Sequence, residues 1–305
     1  MLAIDVKGLT KSYGSIEALK SVSFSVEEGE IFGLIGPDGA GKTSLMRILT
    51  TLLYPTKGSA SVFGFDVVHD YKEIRKICGY MPGKFSLYQD LTVEENLDFY
   101  ASVFNTTIKE NYFLIKDIYS QIEPFKKRLA GKLSGGMKQK LALSCALIHK
   151  PKILFLDEPT TGVDAVSRKE FWDMLMKLKA QGITIVVSTP YMDEVKMCDR
   201  VVLMMKGNIL DIDKPTTIEG KYQHKLFSVV SDNLYMLIKD IRKCNIAISV
   251  FPFGDNVHVS VKEEDGIAEK LMSLLKEKKH NNISIKQITP CIEDCFMDLM
   301  SEYHD

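Results

Sequence analysis

No apolar run in this chain approaches the ~18–20 residues needed to cross a bilayer. The chain is therefore expected to be soluble and cytosolic, with any membrane link made through a partner. A basic start followed by an apolar stretch is also missing, so "MLAIDVKGL" does not read as a secretory signal. Charge of one sign is not in excess. Lys and Arg number 39 against 40 Asp and Glu, a formal net charge of −1, which excludes a chain-wide nucleic-acid footprint. The clusters Lys126, Lys127, Arg128 and Lys276, Lys278, Lys279 read as solvated helix faces or turns. The six cysteines (78, 145, 198, 244, 291 and 295) have no metal-ligand rhythm. Cys291 and Cys295 lie four apart on an expected helix, but no second Cys/His pair joins them. They read as small thiols in a reducing compartment. Internal repeats and low-complexity tracts are absent as well.

What remains is a chain of 305 residues, long enough for one large domain plus a small one. Residues 1–35 read as short strands, "LAIDVKGL", "SVSFSV" and "EIFGLIG". "SLMRILTTLL" then places Leu45, Ile48, Leu49, Leu52 and Leu53 at helical spacing. Residues 94–122 look all-helical, a sub-lobe inserted between strands. The helix "KQKLALSCALIH", the strand "KILFLDE", the helix "SRKEFWDMLMKLKAQG" and the strand "ITIVVS" follow. Strands alternating with helices predict an α/β layer with a largely parallel sheet. After Pro215 the order becomes βαββαβ, with "PFGD" as a hairpin-type connection, which suits a small α+β unit of the split type. That unit holds no chemical constellation and reads as a dimerisation or regulatory appendage. Two domains are expected: 1–219, with a helical subdomain at about 85–150, and 220–305.

The segment "GPDGAGKTS" comprises Gly36, Pro37, Asp38, Gly39, Ala40, Gly41, Lys42, Thr43 and Ser44 and fits G-x-x-x-x-G-K-[ST]. It follows the apolar strand "IFGLI" and opens a helix, the context this motif requires. Glycines let successive N–H groups point into one concavity, and the helix start adds partial positive charge for phosphates. Lys42 would reach the outer phosphates, and the Thr43 hydroxyl would ligate Mg²⁺. The bland alternative is a glycine-rich strand–helix turn. In "ILFLDE" an apolar strand ends in two carboxylates. Adjacent buried acids without a cation would repel and protonate, so Asp157 is expected to hold Mg²⁺ or its water and Glu158 to polarise an attacking water. In "LSGGMKQK", Ser134, Gly135 and Gly136 open a helix, a second anion-binding start. Two such starts far apart in sequence suggest two chains sharing two nucleotides. Tyr13, ahead of the loop, is the natural aromatic face for an adenine, and "TTGVD", 160–164, follows the acids.

In this order the motifs resemble the ATP-binding subunit of an ABC transporter, over about residues 1–215. The resemblance implies a P-loop NTPase cassette, with a RecA-like α/β core, an antiparallel β edge and a helical subdomain, plus the small C-terminal α+β domain. It implies ATP and Mg²⁺ as cofactors. It also implies a head-to-tail pair of cassettes, in which Gly36–Thr43 and Asp157–Glu158 of one chain face Ser134–Gly136 of the other. Asp164 would lie in the loop that communicates across that interface. An integral-membrane permease is the implied partner, nucleic acid is not, and the place is the cytoplasmic face of the membrane. The ending "ITPCIEDCFMDLM" is similar to the extension of bacterial multidrug and antibiotic exporter cassettes.

Two positions depart from the family pattern. After Tyr80-Met81-Pro82 the family has a glutamine and this chain has Gly83; between Thr189 and Tyr191 it has a histidine and this chain has Pro190. The glutamine normally approaches Mg²⁺ and the attacking water, and the histidine donates to the γ-phosphate. Losing one preorganised donor costs on the order of 10²–10³ in rate, so hydrolysis at this chain's own site is expected to be crippled. Glu158 survives, and Thr189 or a water is an alternative donor. The intact Ser134–Gly136 would serve the site of a partner cassette, which favours a heterodimer over a homodimer. Residues 85–97, with Phe85, Leu87, Tyr88 and Leu91, could contact the permease or pack inside the helical lobe; both readings stay open. Other readings are a soluble ABC ATPase and a non-hydrolysing, ATP-binding regulatory subunit. DNA-acting members carry long coiled coils between loop and acids, whereas this interval of about 110 residues has no sustained heptads. Ribosome-acting members have two cassettes in one chain.

Overall fold

The computed structural model describes residues 1–84, 86–244, 246–262 and 266–302, and the chain divides into two compact units after Pro215. The first unit holds two sheets. One is antiparallel, in the order β2 (Ile16–Glu27), β1 (Leu2–Tyr13), β4 (Lys57–Val62), β5 (Phe65–Asp66). The other runs β10 (Asn208–Asp213), β9 (Arg200–Met205), β3 (Ile31–Ile35), β8 (Thr184–Thr189), β7 (Ile153–Asp157), β6 (Cys78–Met81). All of its neighbours pair parallel except β10, which returns antiparallel along β9. Every residue of β3, β7 and β8 is buried, as expected for strands covered on both faces. Between the two sheets lies a core that includes Phe24, Phe32, Leu45, Met46, Val62, Phe155 and Val202.

Helix α1 (Lys42–Leu49) follows β3, α2 (Tyr71–Ile77) precedes β6, and α3 (Val93–Val103), α4 (Ile108–Tyr119) and α5 (Gly135–Leu147) form the helical lobe between β6 and β7. Both α3 and α4 open on capping boxes, Thr92 with Glu95 and Thr107 with Glu110. Helix α6 (Ala165–Ala180) connects β7 to β8, and α7 (Pro215–Gly220) runs over the division. One expectation fails here: α1 stops at Leu49 and does not take in Leu52 and Leu53. Thr51 turns left-handed (φ 62°), and the N–H groups of Thr51 and Leu52 return to the Ile48 and Arg47 carbonyls over 2.9 and 2.8 Å. This is a Schellman turn, which ends the helix whatever the spacing of the leucines beyond it.

The second unit contains β11 (Lys225–Val230), α8 (Leu234–Arg242), β12 (Ala247–Phe253), β13 (Asn256–Val261), α9 (Ile267–Glu277), β14 (Ser284–Ile288) and α10 (Ile292–Glu302). Its strands form one antiparallel sheet in the order β12-β13-β11-β14. Phe227, Val229, Val257, Val259 and Val261 pack with Leu237, Ile241, Leu271 and Leu275 of α8 and α9, a split βαββαβ arrangement. Pro252 and Phe253, expected in the hairpin connection, belong to β12 instead. Pro252 is tolerated because β12 is an outer strand, where a missing N–H leaves no ladder bond unmade. Cys291 donates through Sγ to Asp294 Oδ2 at 3.0 Å, and among the described residues no group of three or more His, Cys, Asp or Glu could hold a metal.

Candidate nucleotide-binding site

Because β3, β6, β7 and β8 are parallel, their carboxyl ends fall on one edge of the sheet, the edge where open α/β sheets bind ligands. The chain delivers Gly36, Pro82–Gly83, Asp157–Glu158 and Thr189–Pro190 there. At the first, the backbone leaves no room for a side chain: a Cβ on Gly36 would sit 2.2 Å from the Met204 carbonyl oxygen. Gly41 combines φ +106° with a Cβ position 2.4 Å from the Ala18 carbonyl oxygen, so glycine is required twice over. The loop thus lies pressed against β9 and β2 and delivers its last residues as the first turn of α1. That turn carries no acidic residue, leaving the N–H groups and helix dipole for an anion.

Lys42 is only 4% exposed. Its ammonium donates to the Gly36 carbonyl at 2.6 Å and the Pro37 carbonyl at 3.1 Å, and lies 3.8 Å from Glu158 Oε1. A cleft of about 630 Å³ opens over this point, lined among others by Ile16, Asp38, Gly39, Lys42, Thr43 and Glu158. Tyr13 stands beside the cleft without lining it. Its hydroxyl is 3.3 Å from Ser44 Oγ, and the Lys11 ammonium sits 5.1 Å from its ring centroid.

At the end of β7, Asp157 is buried and Oδ1 accepts from Ser188 Oγ at 2.7 Å. Glu158 adopts φ +50°, a left-handed conformation that costs a non-glycine residue about 1–3 kcal/mol unless its surroundings hold it. Here its N–H donates to both Ser188 Oγ (2.9 Å) and the Ser188 carbonyl (3.1 Å), and its carboxylate accepts from Thr161 Oγ1 at 3.4 Å. The donor set of Thr43 hydroxyl and Asp157 carboxylate, next to a phosphate cradle, consists of hard oxygens and fits Mg²⁺, which is bound through one or two carboxylates plus substrate phosphates.

Both substituted positions lie on this sheet edge, and Gly83 borders Asp157. A Cβ on Gly83 would lie 3.1 Å from the Asp157 carbonyl oxygen and 3.9 Å from its Cγ. Pro190 is exposed at the end of β8. Thr189 is not the spare donor that the sequence suggested. It is fully buried, its hydroxyl donates to Glu194 Oε2 at 2.6 Å and accepts from the Tyr191 N–H at 3.0 Å. The same Glu194 oxygen accepts from Thr160 Oγ1 at 3.0 Å, and Arg168 stacks 4.6 Å over Tyr191.

Ser134 caps α5 by accepting from the Met137 N–H at 3.4 Å, and a Cβ on Gly136 would meet Ser167 Oγ at 2.8 Å. Gly136 therefore sits against the start of α6 and Gly135 against Gly162 just before it, and none of Ser134, Gly135 and Gly136 lines the Lys42 cleft. Asp164 caps α6, accepting from the Val166 and Ser167 N–H groups at 3.1 and 3.0 Å, and the Ser167 bonds hold its carboxyl below the usual range. In residues 85–97, Leu87 is buried while Tyr88 is half exposed and meets Phe99 edge-on at 4.9 Å. Phe85 lies outside the described residues. The segment is pinned by Asn96, fully buried, which accepts from the Tyr88 N–H at 3.0 Å and donates to the Tyr88, Leu91 and Thr92 carbonyls. Ser188, Glu194 and Asn96 all escaped the sequence reading. A Ser before Thr-Pro at a buried strand end was the only available signal, and it pointed to Ser188 alone.

The ABC transporter family model matches residues 19–161. An Escherichia coli (strain K12) protein named "Probable multidrug ABC transporter ATP-binding protein YbhF" is 38% identical over 314 residues, covering 97% of this chain and 52% of its own length. A Rhizobium sp. (strain N33) protein named "Nod factor export ATP-binding protein I" is 35% identical over 302 residues, covering 98% of this chain and 97% of its own. The chain belongs to the ABC transporter family, as an ATP-binding cassette. It spans about half the length of YbhF. Among solved structures, cbiO1 from Clostridium perfringens, part of the ABC transporter complex cbiONQ, superposes with a TM-score of 0.65 at 25% identity, over 72% of this chain and 91% of its own. The ATP-binding cassette MJ0796, a dimer bound to ADP and Pi, gives 0.63 at 26% identity over 69% and 98%. The P-loop NTPase fold expected for the cassette is thus the fold it has.

Proposed function

We propose that this cassette binds Mg-ATP between the Lys42 loop and Asp157–Glu158 and, paired with a second cassette, powers export through a separate membrane permease on its cytoplasmic side. One observation carries the reading: the phosphate loop, both acids and both substituted positions come to a single sheet edge, while Ser134–Gly136 do not line the Lys42 cleft. Lys42 would take the outer phosphates, Thr43 and Asp157 the Mg²⁺, and Glu158 the attacking water. With Mg²⁺ bound, the cation neutralises charge developing on the transferred phosphoryl group.

With Gly83 and Pro190 in place of the two donors, and Thr189 occupied by Glu194, this site holds ATP and keeps the pair closed more than it hydrolyses. The Ser134–Gly136 start of α5 then completes the partner's site, so a heterodimer is favoured. Closure and reopening of the pair would move the permease. A cleft of about 320 Å³ next to Gly83 is lined by Arg75, Tyr80, Pro82, Ser86, Leu87 and Tyr100 among others, so it takes in part of the 85–97 segment read as a permease contact.

The test is ATP turnover by the purified chain, alone and then with its partner cassette and permease. The isolated chain is expected to be slow and little changed by Glu158→Gln, and the complex fast. Brisk, Glu158-dependent turnover by the isolated chain contradicts the assignment.

A further inference from the structure

We infer that Ser188 is a positioning residue for the metal-bound nucleotide, setting Asp157 and Glu158 together. The inference rests on the proposed Mg-ATP reading of the Lys42 site. Ser188 is fully buried in β8, between β3 with the phosphate loop and β7 with the acids. Its hydroxyl has one proton and gives it to Asp157 Oδ1 at 2.7 Å; a lone pair of the same oxygen accepts the Glu158 N–H at 2.9 Å. The Ser188 carbonyl takes that N–H as well, at 3.1 Å. One side chain thus fixes the plane of the carboxylate suited to Mg²⁺, leaving Oδ2 for the cation, and anchors the peptide of the next residue in its left-handed turn.

Alanine at this position would remove both contacts and leave the β8 carbonyl bond intact, since that bond is made by backbone. The Asp157 carboxylate would then be free to rotate, and the Glu158 peptide would keep one acceptor instead of two. Groups that orient a metal ligand in this way are worth about 10- to 100-fold in metal affinity or activity. Pro190, two residues on, makes the point sharper. This strand end carries Pro190 in place of a histidine, while Ser188 contacts both acids, which suits a site that retains Mg-ATP without turning it over.

The test uses the full chain and Mn²⁺ as the probe, titrated by electron paramagnetic resonance at saturating ATP, with ATP binding in EDTA measured alongside. Ser188→Ala is expected to weaken Mn²⁺ about 10- to 100-fold while metal-free ATP binding stays within about twofold. Ser188→Thr, which keeps the hydroxyl, is expected to stay within about threefold of the parent for Mn²⁺. Should the alanine variant not fold, Ser188→Cys, close in size and a weak donor, is expected to lose at least about tenfold. Mn²⁺ affinity unchanged in the folded alanine or cysteine variant overturns the inference, as does an equal loss with and without metal. A parent chain that takes up no ATP under either condition instead overturns the reading beneath it.

Discussion

The Thr189 hydroxyl donates to Glu194 Oε2 over 2.6 Å, inside the protein and one residue before Pro190. The contact closes a small network in which Glu194 ties the end of β8 to Thr160, at the loop that leaves β7. A hydrogen bond to a buried charged group is worth about 1.5–3 kcal/mol, and Thr189→Val would leave that oxygen of Glu194 with one partner fewer. The variant is expected to lose about 2 kcal/mol in urea unfolding while ATP affinity stays within twofold. A fall in ATP affinity without a loss of stability would restore Thr189 to the list of phosphate donors.

Because Glu194 and Arg168 hold the 189–191 turn from two sides, residue 190 has a fixed mounting whatever its side chain. Pro190→His combined with Gly83→Gln is therefore expected to raise ATP turnover by about 100- to 1,000-fold or more, at least one donor's worth. The Gly83 change requires the backbone to give slightly, since its Cβ begins 3.1 Å from the Asp157 carbonyl oxygen. Turnover unchanged in the folded double variant would mean that another feature limits the site.

Asn96 makes four hydrogen bonds to the 88–92 backbone from a fully buried position. Asn96→Ala strands one N–H and weakens three carbonyls, for a loss of about 2–4 kcal/mol. Amide exchange is expected to speed up first at Tyr88, and permease-stimulated turnover to fall more than basal turnover. Exchange at Tyr88 matching the parent would contradict this role.

Burial pushes the His149 pKa down to about 4, against the bond from its Nε2 side to the Cys78 carbonyl at 3.1 Å, and Phe104 stacks on it at 3.8 Å. The unfolded chain binds that proton near pH 6.5, so between pH 6.5 and about 4 the unfolded state carries more protons than the native one. Stability from this group is thus complete above pH 6.5 and lost as pH falls toward 4, at most about 3 kcal/mol. His149→Phe, which keeps a ring against Phe104, is expected to flatten the drop in melting temperature between pH 7 and 5. An equally steep drop in the variant would assign the acid sensitivity elsewhere.

The parts of the site that the sequence revealed are those in which chemistry and backbone geometry share one short stretch. Gly36 to Ser44 bring their own turn, dipole and lysine, and "ILFLDE" brings its acids on a strand buried on both faces. Ser188 and Glu194 stayed hidden because their partners lie on other elements, 31 residues away for Ser188 and Asp157 and across a turn for Glu194 and Thr189, and Asn96 because a loop folding back onto its own helix leaves no periodic signal. The same holds for the fold. The alternation of strands and helices was readable, but the end of α1 depended on Thr51 adopting a left-handed turn, which leucine spacing does not encode. The short strands β4, β5, β9 and β10 have mixed or continuous burial and so give no clean period.

The central claim is that the backbone and ammonium around Lys42 hold the phosphates of Mg-ATP. Isothermal calorimetry of the full chain with Mg-ATP, beside Lys42→Ala, tests it directly. The account predicts one saturable site per chain in the parent and at least tenfold weaker binding in the variant. No heat of binding in the parent, or the same affinity in both, would contradict it.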